Sequence, residues 1–95
     1  MSMQVINPAT GTQLDRYDTL NAEAINRRIE QAHSAFLSWK QRSFEDRAQH
    51  LKRAAAVLRS NKEDYALLMT REMGKPIAAA RSEVEKCAWV CDYYA

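Results

Sequence analysis

Thr70-Arg71-Glu72-Met73-Gly74-Lys75-Pro76 decides how this chain is laid out, because it holds a helix stop and a helix start side by side. Tyr65, Leu68, Met69 and Met73 recur at helical spacing up to Gly74, a residue that takes the left-handed backbone ending a helix at no steric cost. Pro76 suits the start of the next helix, where its missing N–H has no partner to lose. Beyond the hinge, Ile77, Ala80, Val84, Cys87, Cys91 and Tyr94 form one stripe of a helix running from about Pro76. Trp89, Val90 and Tyr93 make a second apolar surface on another side. A helix apolar over so much of its circumference is normally enclosed on several sides, and the few short helices before it cannot do that. Further sequence around it is therefore expected.

Upstream of the hinge, Asn61 is placed to cap the helix that ends at Gly74, with Glu63 and Asp64 in its first turn where the helix dipole favours negative charge. Ser43, followed three residues on by Asp46, marks an earlier start, with Phe44, Ala48, Leu51, Ala55 and Leu58 as its inward stripe. Asn21 marks the earliest, with Ile25, Ile29, Ala32, Phe36 and Trp39 or Lys40 facing in. Residues 3–18 alternate loosely around Val5, Ile6, Leu14 and Tyr17, and Asn7-Pro8-Ala9-Thr10-Gly11-Thr12 supplies turn chemistry between them. The expected fold is mainly α: an N-terminal β-ribbon over 1–18, then a cluster of about four helices over 21–95. A lone ribbon is marginal in water and needs something to pack on.

Composition agrees. With 95 residues the chain is one domain at most, 46% apolar and 27% charged, and only two glycines and two prolines argue for helix over sheet or disorder. No internal repeat or low-complexity linker breaks it. A formal charge of +2 implies no acidic partner. Lys40, Arg42, Arg47, Lys52, Arg53, Arg59 and Lys62 do cluster against Glu45 and Asp46, but such a stripe on an amphipathic helix is more often solvated than bound to phosphate, so nucleic acid is not expected. Met1 to Ile6 lack the basic start and apolar run of a secretory signal, and no apolar stretch reaches the ~18 residues of a membrane helix. A cytoplasmic location with reduced thiols is expected, since Cys87 and Cys91 on one helix face stand too far apart for a disulfide.

The residues that carry chemistry elsewhere have plainer readings here. Cys87 and Cys91 lack two further ligands for zinc, and His33 and His50 sit singly on different helices, so no metal site is expected. Core packing is the stronger reading for both thiols. Neither histidine has a carboxylate or hydroxyl at a spacing that suggests acid–base work. Glu83 and Glu85 point to different sides of their helix and are expected to pair with Arg81, Lys86 or a partner. Gly11 and Gly74 are isolated, so no phosphate-cradling loop exists. Trp89, Tyr93 and Tyr94 read as packing before they read as a ligand wall.

Taken together, Thr70–Pro76, Ala88-Trp89-Val90-Cys91-Asp92-Tyr93-Tyr94-Ala95, Asn7-Pro8-Ala9-Thr10-Gly11 and Ala35-Phe36-Leu37-Ser38-Trp39 resemble the opening segment of an aldehyde dehydrogenase, nearest the bacterial succinate-semialdehyde branch, over residues 4–95. The resemblance implies an N-terminal part of the cofactor-binding domain in a fragment of that α/β fold. In this superfamily a cysteine attacks the aldehyde, hydride leaves to NAD or NADP, and a glutamate-activated water releases the acid. Those motifs match nothing in residues 1–95, so no catalytic, cofactor-binding or metal residue is assigned, and the segment alone is expected to be inactive. What the resemblance does imply is a helix beside the substrate entrance, where Lys86, Trp89, Val90 and Tyr93 shape the channel and the Lys86 cation draws in an aldehyde bearing a carboxylate. The expected partners are the remainder of a dehydrogenase chain and further copies in a homo-oligomer. The competing expectation is a self-sufficient helical interaction module. A Gly-rich segment, a glutamate motif and a cysteine motif in the coding sequence past Ala95 would separate the two.

Overall fold

Two strands open the chain in the computed structural model, which describes residues 1–95. β1 (Ser2–Ile6) and β2 (Gln13–Asp18) pair antiparallel from Ser2 opposite Asp18 to Ile6 opposite Gln13, with an irregularity between Val5 and Ile6. Their turn follows its residue chemistry. The Asn7 side chain accepts from the Ala9 amide at 2.9 Å, and Gly11 takes φ +72° while its amide donates to the Asn7 carbonyl at 2.8 Å.

Four helices follow: α1 (Ala22–Trp39), α2 (Phe44–Ser60), α3 (Lys62–Met73) and α4 (Ile77–Tyr94). Asn21 Oδ1 caps α1 by accepting from the Ala24 amide at 2.8 Å, and Ser43 Oγ caps α2 by accepting from Asp46 at 3.1 Å. Asn61 does otherwise. It is the single residue between α2 and α3, and its backbone (φ −109°, ψ 19°) is not the extended geometry an N-cap uses. Its side-chain amide donates instead to the Val57 carbonyl at 3.0 Å, tying off the end of α2. Gly74 ends α3 as expected, at φ +74° with its amide donating to the Thr70 carbonyl at 2.9 Å. Pro76 stands at the cap position just before α4.

α4 lies between α2 and α3 and packs on both. The buried residues are Ala55 of α2, Ala66 of α3, and Ala80, Val84 and Ala88 of α4, five of 95. Small side chains let the helix axes close up, and this shifts the expected stripes. On α4 the inward line is Ile77, Ala80, Val84, Ala88 and Cys91; Ala88 takes the seam where Cys87 was expected, leaving Cys87 exposed, and Tyr94 also faces out. On α3, Ala66 faces in with Met69 half-buried, while Tyr65, Leu68 and Met73 stay exposed. On α2, Ala48, Leu51, Ala55 and Leu58 face in as expected, but Phe44 is 85% exposed. The α1 stripe exists and is covered by nothing: no residue of α1 is buried, with Ile25, Ile29, Phe36 and Trp39 all open. The result is a slab 49 × 37 × 15 Å with a radius of gyration of 17.3 Å. A compact chain of this length has about 12–13 Å.

The ribbon is anchored where the two most recognisable segments meet. A Cβ on Gly74 would lie 3.0 Å from Pro8 Cγ, so the ribbon turn sits directly against the α3–α4 hinge. Leu14 and Tyr17 of β2 share a small cavity with Leu68, Arg71 and Glu72 of α3.

Candidate functional site

Ion pairs line α4 along its length. Arg59 of α2 donates from Nε to Glu85 at 2.9 Å and reaches Asp92 from Nη1 at 2.7 Å, while Lys62 lies 3.7 Å from Glu85. Arg81 donates from Nε to both oxygens of Glu63 at 3.1 and 2.9 Å, tying α4 to α3. Lys75, in the hinge itself, pairs with Glu83 of α4. Glu83 and Glu85 thus pair with Lys75 and with Arg59 and Lys62, not with Arg81 or Lys86, because their opposite directions on α4 aim them at neighbouring elements. The Arg59 hydrogen bond, against a smaller opposing effect of desolvation, holds the Glu85 carboxyl below its ordinary range; the same hydrogen bond, then that to Asp92, pushes Arg59 up.

One charge is left over. Of the charged side chains from Lys75 to Asp92, Lys86 alone has no opposite charge within 4.0 Å. It lies on a ridge between two open grooves. The larger, about 850 Å³, runs from the Lys75–Glu83 pair past Ser82 and Lys86 to Cys87 and Val90. The smaller, about 490 Å³, is formed by Ser82, Glu85, Lys86 and Trp89. Tyr93 lines neither, but its ring centroid is 5.9 Å from that of Trp89 and 5.1 Å from that of Tyr94, the latter edge-on at 90°. The four residues singled out for the channel therefore occupy one side of α4, three on the grooves and the fourth stacked behind Trp89.

Ser82 escapes a sequence reading, and Cys87 lies exposed on the larger groove rather than in the core expected for it. Ser82 carried no motif, and its hydroxyl donates to the Ala78 carbonyl of its own helix at 3.1 Å. For Cys87 the usable signal is Ala88, whose small side chain fits the helix seam better than a thiol one position earlier. His50 is half-buried. Its Nδ1 lies 2.8 Å from the Asp46 carbonyl, which can only accept, so Nδ1 carries the proton; Asp46 Oδ1 is 3.8 Å away and Nε2 faces Arg42 at 3.4 Å. With the Trp39 ring edge-on at 5.0 Å, this clasp braces the elbow between α1 and α2. His33 lies exposed on α1, its ring 6.5 Å from that of Phe36. No three His, Cys, Asp or Glu side chains gather as a metal site requires, and no helix is long and apolar enough to cross a membrane. Gly11 and Gly74 both serve turns at positive φ, and no residue of the segment is assigned to NAD or NADP.

The chain belongs to the aldehyde dehydrogenase family, whose model matches residues 1–95. Within that family it is 39% identical over its full length to a probable NADP-dependent succinate-semialdehyde dehydrogenase of Synechocystis, covering 21% of that protein. It is 42% identical over 90 residues, 95% of this chain and 20% of the relative, to the NAD(P)-dependent succinate semialdehyde dehydrogenase Sad of Escherichia coli. Its backbone superposes with a TM-score of 0.89 on succinic semialdehyde dehydrogenase from Streptococcus pyogenes, solved with NADP, at 34% identity, covering 96% of this chain and 20% of that one. The chain thus spans about a fifth of the length of the relatives it matches. The free-standing interaction module weighed from the sequence is not favoured by a match that takes in the whole chain.

Proposed function

We propose that these residues serve as the N-terminal part of the cofactor-binding domain of a cytoplasmic, homo-oligomeric NAD(P)-dependent aldehyde dehydrogenase, and that its substrate is an aldehyde carrying a distal carboxylate, as succinate semialdehyde does. NAD or NADP would accept the hydride in that enzyme, at residues other than these. The role proposed for this segment is recognition: Lys86 attracts the carboxylate, while Val90, Trp89 and, behind it, Tyr93 wall the approach. The observation that carries the reading is the isolation of Lys86 among paired charges. A cation beside open grooves with no carboxylate of its own is available to an anion that arrives from solution. The uncovered faces of α1 and α4 support the larger claim, since their exposed large apolar residues call for surrounding structure.

The test is kinetic, in the dehydrogenase that carries this segment. Lys86→Gln should raise KM for succinate semialdehyde several-fold and leave KM for an uncharged aldehyde such as butanal unchanged. Equal effects on both aldehydes, or none on either, would remove Lys86 from substrate recognition. Failure of that enzyme to reduce NAD or NADP with any aldehyde would overturn the larger reading.

A further inference from the structure

Each groove beside Lys86 contains one carboxylate, Glu83 in the larger and Glu85 in the smaller. Left bare, either would offset the Lys86 cation for an anion approaching from solution. Neither is left bare. Glu85 is tied by Arg59 and Lys62, which stand outside its groove. Glu83 is tied by Lys75, which lines the larger groove with it. The pairing is selective: Glu83 and Lys86 stand three apart on α4, a spacing at which opposite charges on a helix meet, yet the Glu83 carboxylate goes to Lys75, eight residues back. The hinge makes this possible, since Gly74 at φ +74° and Pro76 turn the chain around residue 75 just before α4 begins. With side chains 32% and 46% exposed, against 58% and 78% for Arg27–Glu23 on the open α1, the pair is also the less screened of the two by salt. Two lysines against one glutamate leave the larger groove one positive charge, and with the pair closed that charge resides on Lys86.

We propose that Lys75 is a specificity-determining residue that acts through Glu83. By holding that carboxylate it keeps the larger groove from repelling an anionic aldehyde, so preference for a carboxylate-bearing substrate depends on residue 75 as well as on Lys86. The inference rests on the reading of Lys86 as the counter-charge to the substrate. Lys75 is a positioning residue: its effect on substrate is carried by the charge it removes from Glu83, not by contact. The consequence is a signed pattern that a purely structural lysine would not produce. Losing Lys75 frees a carboxylate in the groove, losing Glu83 frees a second cation there, and losing both restores the original balance of one unpaired cation.

The test is made in the dehydrogenase that carries this segment, with succinate semialdehyde and butanal as paired substrates. Lys75→Gln should raise KM for succinate semialdehyde by about threefold and leave KM for butanal in place, and the rise should shrink as salt is added. Glu83→Gln should move KM for the charged aldehyde the other way. The double variant should return it to near the unaltered value, and Lys75→Arg should keep it there. Equal effects of Lys75→Gln on both aldehydes, or a double variant no better than Lys75→Gln alone, would overturn the proposal. Should Lys75→Gln fail to fold, Glu83→Gln decides the matter, and a KM for succinate semialdehyde that does not fall counts against it. Lys86→Gln measured alongside tells the two readings apart. A selective effect of Lys86→Gln with none from Lys75→Gln overturns the role of Lys75 and spares that of Lys86, whereas no selective effect of Lys86→Gln overturns both.

Discussion

α1 and α4 are each 18 residues long and each carries an apolar stripe, yet α4 buries three residues and α1 none. The difference lies in side-chain size and neighbours. α4 offers Ala80, Val84 and Ala88 to seams where Ala55 and Ala66 stand opposite, so helix axes can approach closely. α1 offers Ile25, Ile29 and Phe36, bulky residues on a helix that leaves the elbow at Trp39, Arg42 and His50 away from the α2–α4 and α3–α4 seams. A sharply two-faced helix therefore marks a surface that needs covering, whereas a line of small residues marks one that is already covered.

The widest separation between the two helices should appear when the same charge is placed on each stripe. Val84→Asp puts a carboxylate at a site 2% exposed and should cost about 3–5 kcal/mol, enough to abolish a cooperative urea transition in a chain with so small a core. Ile29→Asp, at a site 61% exposed, should change stability by no more than about 0.5 kcal/mol. Comparable losses from both would mean that α1 is packed in solution, and the contrast would collapse.

That contrast also explains what could be read from residues alone. Helix starts at Asn21 and Ser43, the stop at Gly74 and the ribbon turn are set by local chemistry, and each forms where its residues direct. Which face turns inward is not local. Cys87 and Ala88 differ by one position, and only the closeness of α2 and α3 favours the smaller; likewise Ala66 displaces Tyr65 and Leu68 from the α3 seam. Asn61 failed as a cap because α2 ends where α3 begins, a fact of chain path that its own preference does not encode. The candidate site was legible in part for the same reason. Lys86, Trp89 and Val90 share a helix side by periodicity, but the isolation of Lys86 depends on where Arg59, Lys75 and Glu63 arrive from elsewhere.

The hinge joins a seam helix to its neighbour and offers a middle-sized test. Gly74→Val strains a backbone at φ +74° and sets a branched side chain against Pro8, 3.0 Å from the new Cβ, for a loss on the order of 1–2 kcal/mol. Pro8→Ala in the same chain should recover the steric part and leave the backbone part, visible as a partial return of the thermal midpoint. In the dehydrogenase proposed to carry this segment, activity per folded molecule should be nearly kept. A variant that melts normally but has lost turnover would place the hinge against substrate or cofactor.

The smallest effect expected concerns charge, and it separates the helices by how their pairs are placed. Arg27–Glu23 on α1 joins two residues of one helix, whereas Arg59 joins α2 to α4 through Glu85 and Asp92. Because the folded Glu85 value is lowered from an ordinary 4.5, its contribution to stability is present above that value and is lost as pH falls through the lowered one. Arg59→Gln should therefore lower the urea midpoint near neutrality, by less than the glycine variant does, and the gap to the unaltered chain should close in acid, as pH falls below the ordinary carboxylate range. Arg27→Gln should shift the midpoint less still, since its pair spans no seam. If the Arg59 gap stays the same at both pH values, its aliphatic stem rather than its charge holds α2 against α4. The α4 seam would then rest on small-residue packing alone, and the ion pairs around Lys86 would matter for the field they leave rather than for the helix they fasten.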